Sequence, residues 1–201
     1  MEGARELGTR KALLRRALAA RRRALTAEEA RSAGEAVAAR LAATPEFAAC
    51  RRIALYAEAD GELPTAALWR AARARGLPVL WPRLVEGELE FARCDEAHEL
   101  TEGRFGIRAP GARCERAALG AGDLVVVPAL ALDRAGRRLG RGGGHYDRAL
   151  SAPGAPASLR VGVGYDFQLL VGVPAGEGDE PVDLVITEHA LVRTRAREAR
   201  A

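Results

Sequence analysis

Apolar positions recur at helical spacing first, then at strand spacing. Over residues 10–25, Leu14, Leu18 and Leu25 share one face at about 100° per residue, which predicts an amphipathic helix. Lys11, Arg15 and Arg22 form a stripe beside that face, while Arg21 falls on the apolar side and snorkels. Thr26-Ala-Glu-Glu29 is a capping box that starts a second helix, with Ala30, Ala33, Val37 and Leu41 on its apolar face and Pro45 ending or following it.

The pattern then changes to short apolar runs separated by helical stretches. Residues 52–57 (RIALYA) predict a buried strand. Pro64 suits the first turn of a helix reaching about Arg75, and Gly76 suits its cap. Residues 78–84 (PVLWPRL) predict a strand broken at Pro82, followed by a turn and a short strand over 87–92. Residues 101–122 show little periodicity and predict mostly loop. The continuous apolar run 123–128 (DLVVVP) reads as a central parallel strand. A glycine-rich loop, a helix starting near Tyr146, a Pro/Ala/Gly loop over 152–158 and strands at 160–164 (RVGVG) and 183–187 (DLVIT) complete the series. Repeated strand–helix units predict an α/β fold, a mostly parallel sheet with helices on both faces. With no repeat and no linker, residues 1–201 read as a single domain on which the helices of 10–44 pack.

Composition narrows the function classes. The chain has 201 residues, 48% hydrophobic and 29% charged, which is globular rather than disordered. No apolar run approaches the ~20 residues that span a bilayer, and the N-terminus lacks a signal-peptide core. Cys50, Cys94 and Cys114 fit no zinc or redox spacing and read as reduced thiols in a cytoplasmic protein. The net charge of +4 is compatible with phosphate ligands, and the 4% aromatic content argues against base stacking. Among 31 basic residues Lys11 is the one lysine. Either a compact ammonium is required there or the survivor is incidental.

Residues 138–147 (RLGRGGGHYD) follow the strongest strand and carry the chemistry. Gly140, Gly142, Gly143 and Gly144 let backbone N–H groups approach an anion, and Arg137, Arg138, Arg141 and Arg148 surround it with positive charge. Asp147 places a carboxylate in the first turn of the next helix, where it can face a metal-bound phosphate. The loop is neither a Walker motif nor a dinucleotide fingerprint, so a plain flexible connection stays open. Lys11 and Arg15 point the same way from the first helix, toward a ligand or into solvent. Asp179 or Asp183 can join Asp147 around Mg²⁺, or belong to an ordinary acidic loop. Glu62, beyond the first strand, suits a polar ligand group or a turn. His98, His189, Asp133 and Tyr165 acquire no role, the last two reading as structural.

These segments resemble the 5-formyltetrahydrofolate cyclo-ligase family along nearly the whole chain. The resemblance rests on Lys11 and Arg15, ELPT at 62–65, LPVLWPRL at 77–84, the long run at 133–148, VGVGYDFQ at 161–168 and the V-P-x4-D-x3-D spacing at 173–183. It implies a three-layer α/β/α, Rossmann-like fold. It also implies closure of 5-formyltetrahydrofolate to 5,10-methenyltetrahydrofolate with consumption of ATP. By position, Lys11, Arg15, Arg138, Leu139, Gly140, Arg141, Gly142, Gly143, Gly144, His145 and Tyr146 are the ATP contacts. Glu62, Ala57 and Tyr146 are the folate contacts, and Arg141 and Tyr146 the catalytic pair. Asp147, Asp179 and Asp183 are the Mg²⁺ carboxylates. The expected partners are ATP and 5-formyltetrahydrofolate, with no nucleic acid and no membrane, on a cytoplasmic monomer. His145 departs from the tyrosine many members carry, and Gly178 from a frequent histidine. The competing classes are a sugar-phosphate isomerase or CoA-transferase relative, and a nucleic-acid binder using the arginine-rich helix.

Overall fold

A computed structural model of the chain describes residues 2–96, 99–103 and 106–194. His98 lies outside these residues. The helices are α1 (Glu2–Arg23), α2 (Ala27–Ala42), α3 (Pro45–Ala49), α4 (Ala66–Ala74) and α5 (His145–Ser151). The central sheet contains β1 (Arg52–Ala54), β2 (Val79–Val85), β3 (Glu88–Arg93), β6 (Asp123–Pro128), β9 (Leu159–Val163), β11 (Leu184–Ile186) and β12 (Leu191–Arg193). Two smaller sheets use β4 (Leu100–Glu102) with β5 (Arg108–Pro110), and β7 (Ala131–Asp133) with β8 (Arg138–Leu139) and β10 (Leu169–Leu170).

The seven strands are ordered β12-β11-β9-β6-β1-β2-β3. Neighbours from β11 to β2 pair in parallel, and both edges, β12 and β3, are antiparallel. Strand alternation sorts the core. Ile53, Leu124, Val126, Val161, Leu184 and Ile186 join one apolar cluster with Val37 and Leu41 of α2 and Leu68 of α4. Ala54, Val125, Val127 and Val185 point the other way, to Leu150 of α5 and Leu132 of β7. The layers are therefore helices, sheet, then a mixed layer of α5 and the small β10-β7-β8 sheet. The sequence predicted helices alone on that second face. Strands as short as β8 and β10 leave too few residues for an alternating pattern to register.

Other local expectations are refined. The first helix begins at Glu2 and stops at Arg23, so Leu25 follows it and packs on the larger core. The Thr26 capping box forms in both directions: the Thr26 hydroxyl accepts from Glu29 N–H at 3.2 Å, and Thr26 N–H donates to Glu29 Oε2 at 2.8 Å. Pro45 opens the short α3 behind the N-cap Thr44. Pro64 precedes the N-cap Thr65 of α4 instead of entering its first turn.

Pro82 does not break its strand. Val79 accepts from Cys94 on the β3 side and Leu80 accepts from Leu55 on the β1 side. By alternation Pro82 faces the β1 side, where β1 has already ended at Ala54, so its missing N–H costs no ladder bond. The stretch 101–122 is not all loop either, because β4 and β5 pair within it.

Topology places the crevice. From β1 the chain proceeds to β2 on one side, whereas from β6 it proceeds to β9 and β11 on the other. Strand order reverses between β1 and β6, and their carboxyl ends diverge there, the position where open α/β sheets bind ligands.

Candidate active site

A cavity of about 640 Å³ opens at that position, within the range of small-molecule sites. It is lined by Tyr56, Ala57 and Glu62 beyond β1, by Pro128–Leu130 beyond β6, by residues 138–147, and by Lys11, Arg15 and Asp179. Apart from Asp183, the residues expected to form the site converge on one space, although Lys11 and Asp179 are 168 residues apart.

Helix α1 reaches the loop because Leu18 and Leu14 pack on Ala131 and Leu139 of the small sheet and on Val173. That contact carries Lys11 and Arg15 to the cavity, with Arg15 against the glycines. Arg15 Nε donates to the Gly140 carbonyl at 2.9 Å. The Arg15 guanidinium also lies against Gly142, where a Cβ would come to 3.4 Å from its central carbon and φ is +106°. The backbone angle is what calls for glycine there.

Lys11 Nζ meets Asp179 Oδ2 at 2.5 Å, and the same oxygen accepts from Gly176 N–H at 2.7 Å. Burial pushes the Asp179 carboxyl up, but these two hydrogen bonds and the charges of Lys11 and Arg138 outweigh it and hold it below its ordinary range. Asp147 Oδ1 accepts from Arg138 at 2.6 Å and from Glu180 N–H at 3.0 Å. Burial lowers the Arg138 guanidinium, against the opposing charge of Asp147. Its Nε is buried without a hydrogen-bond partner among the described residues, as is the Tyr146 hydroxyl.

Glu62 is more deeply buried. Its side chain is 9% exposed; Oε1 lies 3.0 Å from Arg141, and Oε2 accepts from Ala59 N–H at 3.0 Å. Burial raises its carboxyl above the usual range, opposed by Arg141, by the Ala59 N–H and by Arg22. Burial also raises Tyr146, whose ring meets Phe91 edge-on at 6.5 Å.

One expected metal carboxylate is elsewhere. Asp183 directly precedes β11, 4% exposed, and its Oδ2 accepts from Arg160 N–H at 2.8 Å. It stitches β11 to β9 and does not line the cavity, which corrects the expectation that it joins Asp147 and Asp179. Asp133 is structural as expected, fully buried and accepting from the N–H groups of Ala135, Arg137 and Val173. The Tyr165 hydroxyl donates to Gly61 O at 3.2 Å, and its ring stacks on Phe167. The His145 imidazole lies 3.1 Å from Arg148 through Nδ1.

Sequence reasoning missed part of the wall. Residues 101–103 and 107–112, read as loop, form a rim of the cavity. Arg83 secures that rim by donating to Gly111 O at 3.0 Å and Cys114 O at 3.3 Å while pairing with Glu90 at 2.7 Å. Arg22, which the spacing places only in the stripe beside the apolar face, is buried beneath the Glu62 turn.

With this geometry in place, comparison with known proteins is decisive. The model of the 5-formyltetrahydrofolate cyclo-ligase family matches residues 8–188. The chain belongs to this family. The 5-formyltetrahydrofolate cyclo-ligase of Escherichia coli is 36% identical over 172 residues, covering 83% of this chain and 94% of that one. The solved 5,10-methenyltetrahydrofolate synthetase of Aquifex aeolicus superposes with a TM-score of 0.81 at 34% identity, over 92% of this chain and 93% of that one. A Mycoplasma pneumoniae synthetase shares the fold, with a TM-score of 0.72 at 20% identity over 89% of this chain and 98% of that one. Family membership favours the cyclo-ligase reading over an isomerase or CoA-transferase relative. Among the described residues no helix is long and apolar enough to cross a membrane.

Proposed function

We propose that this chain catalyses the ATP-dependent closure of 5-formyltetrahydrofolate to 5,10-methenyltetrahydrofolate, releasing ADP and phosphate. The observation that carries the proposal is a single cavity, at the reversal point of the sheet, shared by the Lys11–Arg15–glycine-loop cluster and by Glu62 with Tyr146. One cluster suits a polyphosphate, the other a flat heterocycle with N–H donors.

In this reading the formyl oxygen attacks the γ-phosphorus of ATP and ADP leaves. N10 of the same folate then attacks the activated formyl carbon, its proton departs, and loss of phosphate leaves the methenyl bridge. Both steps depend on alignment and charge neutralisation more than on a strong base. Lys11, Arg15 and the N–H groups of 140–144 receive the phosphates. Glu62 accepts from the pterin, with Ala57 beside it, since a carboxylate can take two donors at once. Arg141 stands between the clusters, 44% exposed and in contact with Glu62, where it can follow the transferring phosphoryl group. Tyr146 offers its buried hydroxyl near the formyl group.

Mg²⁺ fits the donor set. Both hydrogen bonds to Asp147 fall on Oδ1 and both to Asp179 on Oδ2, so each keeps one oxygen without a hydrogen bond among the described residues. Two hard carboxylates plus phosphate oxygens are what this ion prefers. Asp147 and Asp179 would hold it, and it would supply charge neutralisation at the phosphate.

The test is direct. Purified protein is mixed with 5-formyltetrahydrofolate, ATP and Mg²⁺, and the near-UV absorbance of the methenyl product is followed. The absorbance should rise only when ATP is present, and no ATP-dependent change at neutral pH would sink the proposal.

A further inference from the structure

Arg22 lies in the last turn of α1 and is buried, its side chain 1% exposed. It is not part of a solvated helix face. Its Nε donates to the Asp60 carbonyl at 2.9 Å, Nη2 lies 3.4 Å from Asp60 Oδ2, and Nη1 lies 4.0 Å from Glu62 Oε1. The turn it supports is held in an uncommon shape, with left-handed backbone at Asp60 (φ 54°) and Gly61 (φ 71°). Gly61 packs on the Arg22 backbone so closely that a Cβ would come to 3.1 Å from the Arg22 carbonyl oxygen. The end of α1 and the turn bearing Glu62 therefore form one packed unit.

Two guanidinium groups approach Glu62, and they differ in freedom. Arg141 is the nearer and also donates to the Ala59 carbonyl at 2.6 Å, but its side chain is 44% exposed and its neighbours Gly140 and Gly142 give its backbone few steric restraints. Arg141 is also the cation proposed to follow the phosphoryl group. Arg22 is walled in by its own helix and by the turn, so it stays when Arg141 leaves.

We infer that Arg22 is a positioning residue for folate binding: it fixes the turn that carries Glu62 and remains its permanent counter-cation while Arg141 serves the phosphate. The inference rests on the reading of Glu62 as the pterin contact. Arg22 acts through Glu62 and touches no substrate.

The other groups around Glu62 do not replace it. Asp60, in the same turn, repels the carboxylate. Tyr56 from the end of β1, Tyr146 from α5 and Tyr165 beyond β9 interact with the Glu62 charge, and burial raises each phenol, so all three stay neutral and supply no positive charge. Without Arg22 the buried carboxylate would keep the Ala59 N–H and one half-exposed cation, and would protonate at higher pH.

The experiment compares kcat and KM for each substrate across pH in the wild-type enzyme and in Arg22→Gln, Arg22→Lys, Glu62→Gln and the Arg22→Gln/Glu62→Gln double variant. Glutamine keeps a donor for the Asp60 carbonyl and removes the charge. Arg22→Gln should raise the folate KM by about tenfold, leave the ATP KM within about twofold, and move the acid limb of kcat/KM for folate to higher pH. Lysine should restore the limb but only part of the affinity, because it lacks the planar fork. In the Glu62→Gln background Arg22→Gln should add little. A Glu62→Gln variant with unchanged folate KM would overturn the reading of Glu62 itself. If Glu62→Gln raises that KM while Arg22→Gln does not, or the two effects simply multiply, or both substrates' KM values rise together, the role of Arg22 is overturned. Should Arg22→Gln fail to fold, Arg22→Lys decides: a raised folate KM with the limb in place supports the role, and an unchanged folate KM ends it.

Discussion

Asp179 and Glu62 line the same cavity, and each is met by a cation, yet their carboxyl groups move in opposite directions. Asp179 has a side chain 27% exposed and takes a direct ammonium and a backbone N–H on one oxygen. Those contacts outweigh burial and hold it low. Glu62 is 9% exposed, and burial prevails over Arg141, Ala59 N–H and Arg22 together. A nearby cation therefore does not settle the state of a carboxylate; the balance of desolvation and direct hydrogen bonds does. The difference suits the two proposed roles. A carboxyl held low favours the ionised form, as proposed for Asp179 beside metal and polyphosphate. A carboxylate sequestered from water, as proposed for Glu62 toward a heterocycle, gains selectivity for N–H donors.

The largest expected effect tests the phosphate half. Asp179→Asn should lower kcat/KM for ATP by about 10²–10³-fold while leaving the folate KM within about twofold, read from initial rates with Mg²⁺ varied. Asp183→Asn supplies the contrast. It should leave the ATP KM unchanged and lower stability by about 1–3 kcal/mol, seen in denaturant unfolding, because a buried acceptor of Arg160 N–H is weakened. Loss of ATP affinity in the second variant, or none in the first, would break the assignment.

A pH series sharpens the comparison with a smaller effect. Glu62 is ionised above its raised pKa and neutral below it, so folate use should begin to fall at a higher pH than an ordinary glutamate would dictate. Asp179 is ionised down to its lowered pKa, so ATP use should persist further into acid. Separate kcat/KM profiles for the two substrates should show the folate limb on the alkaline side of the ATP limb. The smallest effect belongs to His145→Tyr, which restores the residue many family members carry. The imidazole contacts Arg148 at 3.1 Å. Activity at neutral pH should change by no more than about threefold, measured in the same assay.

How much was readable in advance depended on sequence range. The Thr26–Glu29 capping box spans four residues and formed as read. The apolar run at 123–128 became the buried β6, and the Lys11–Arg15 spacing put both cations at the cavity. Arg22 shares their stripe by spacing, but its burial depends on what another part of the chain brings to it, here the turn at 60–62. Pro82 was misread because its tolerance depends on where a neighbouring strand stops. Asp183 fits the same V-P-x4-D-x3-D spacing as Asp179, but strand β11 carries it away from the cavity and into the sheet.

The sequence by itself determined the alternation that splits the core between two sheet faces, the glycines that let the loop take left-handed backbone at 142 and 144, and the family to which these motifs belong. Those features rest on periodicity, on glycine's freedom in φ and on local spacing, which the order of residues encodes directly. Only the tertiary structure decided which charges are buried, which carboxylate faces the cavity, and which segment of the 101–122 stretch forms its rim. Those outcomes depend on desolvation by residues distant in the chain, and a linear pattern carries no information about what will cover a side chain.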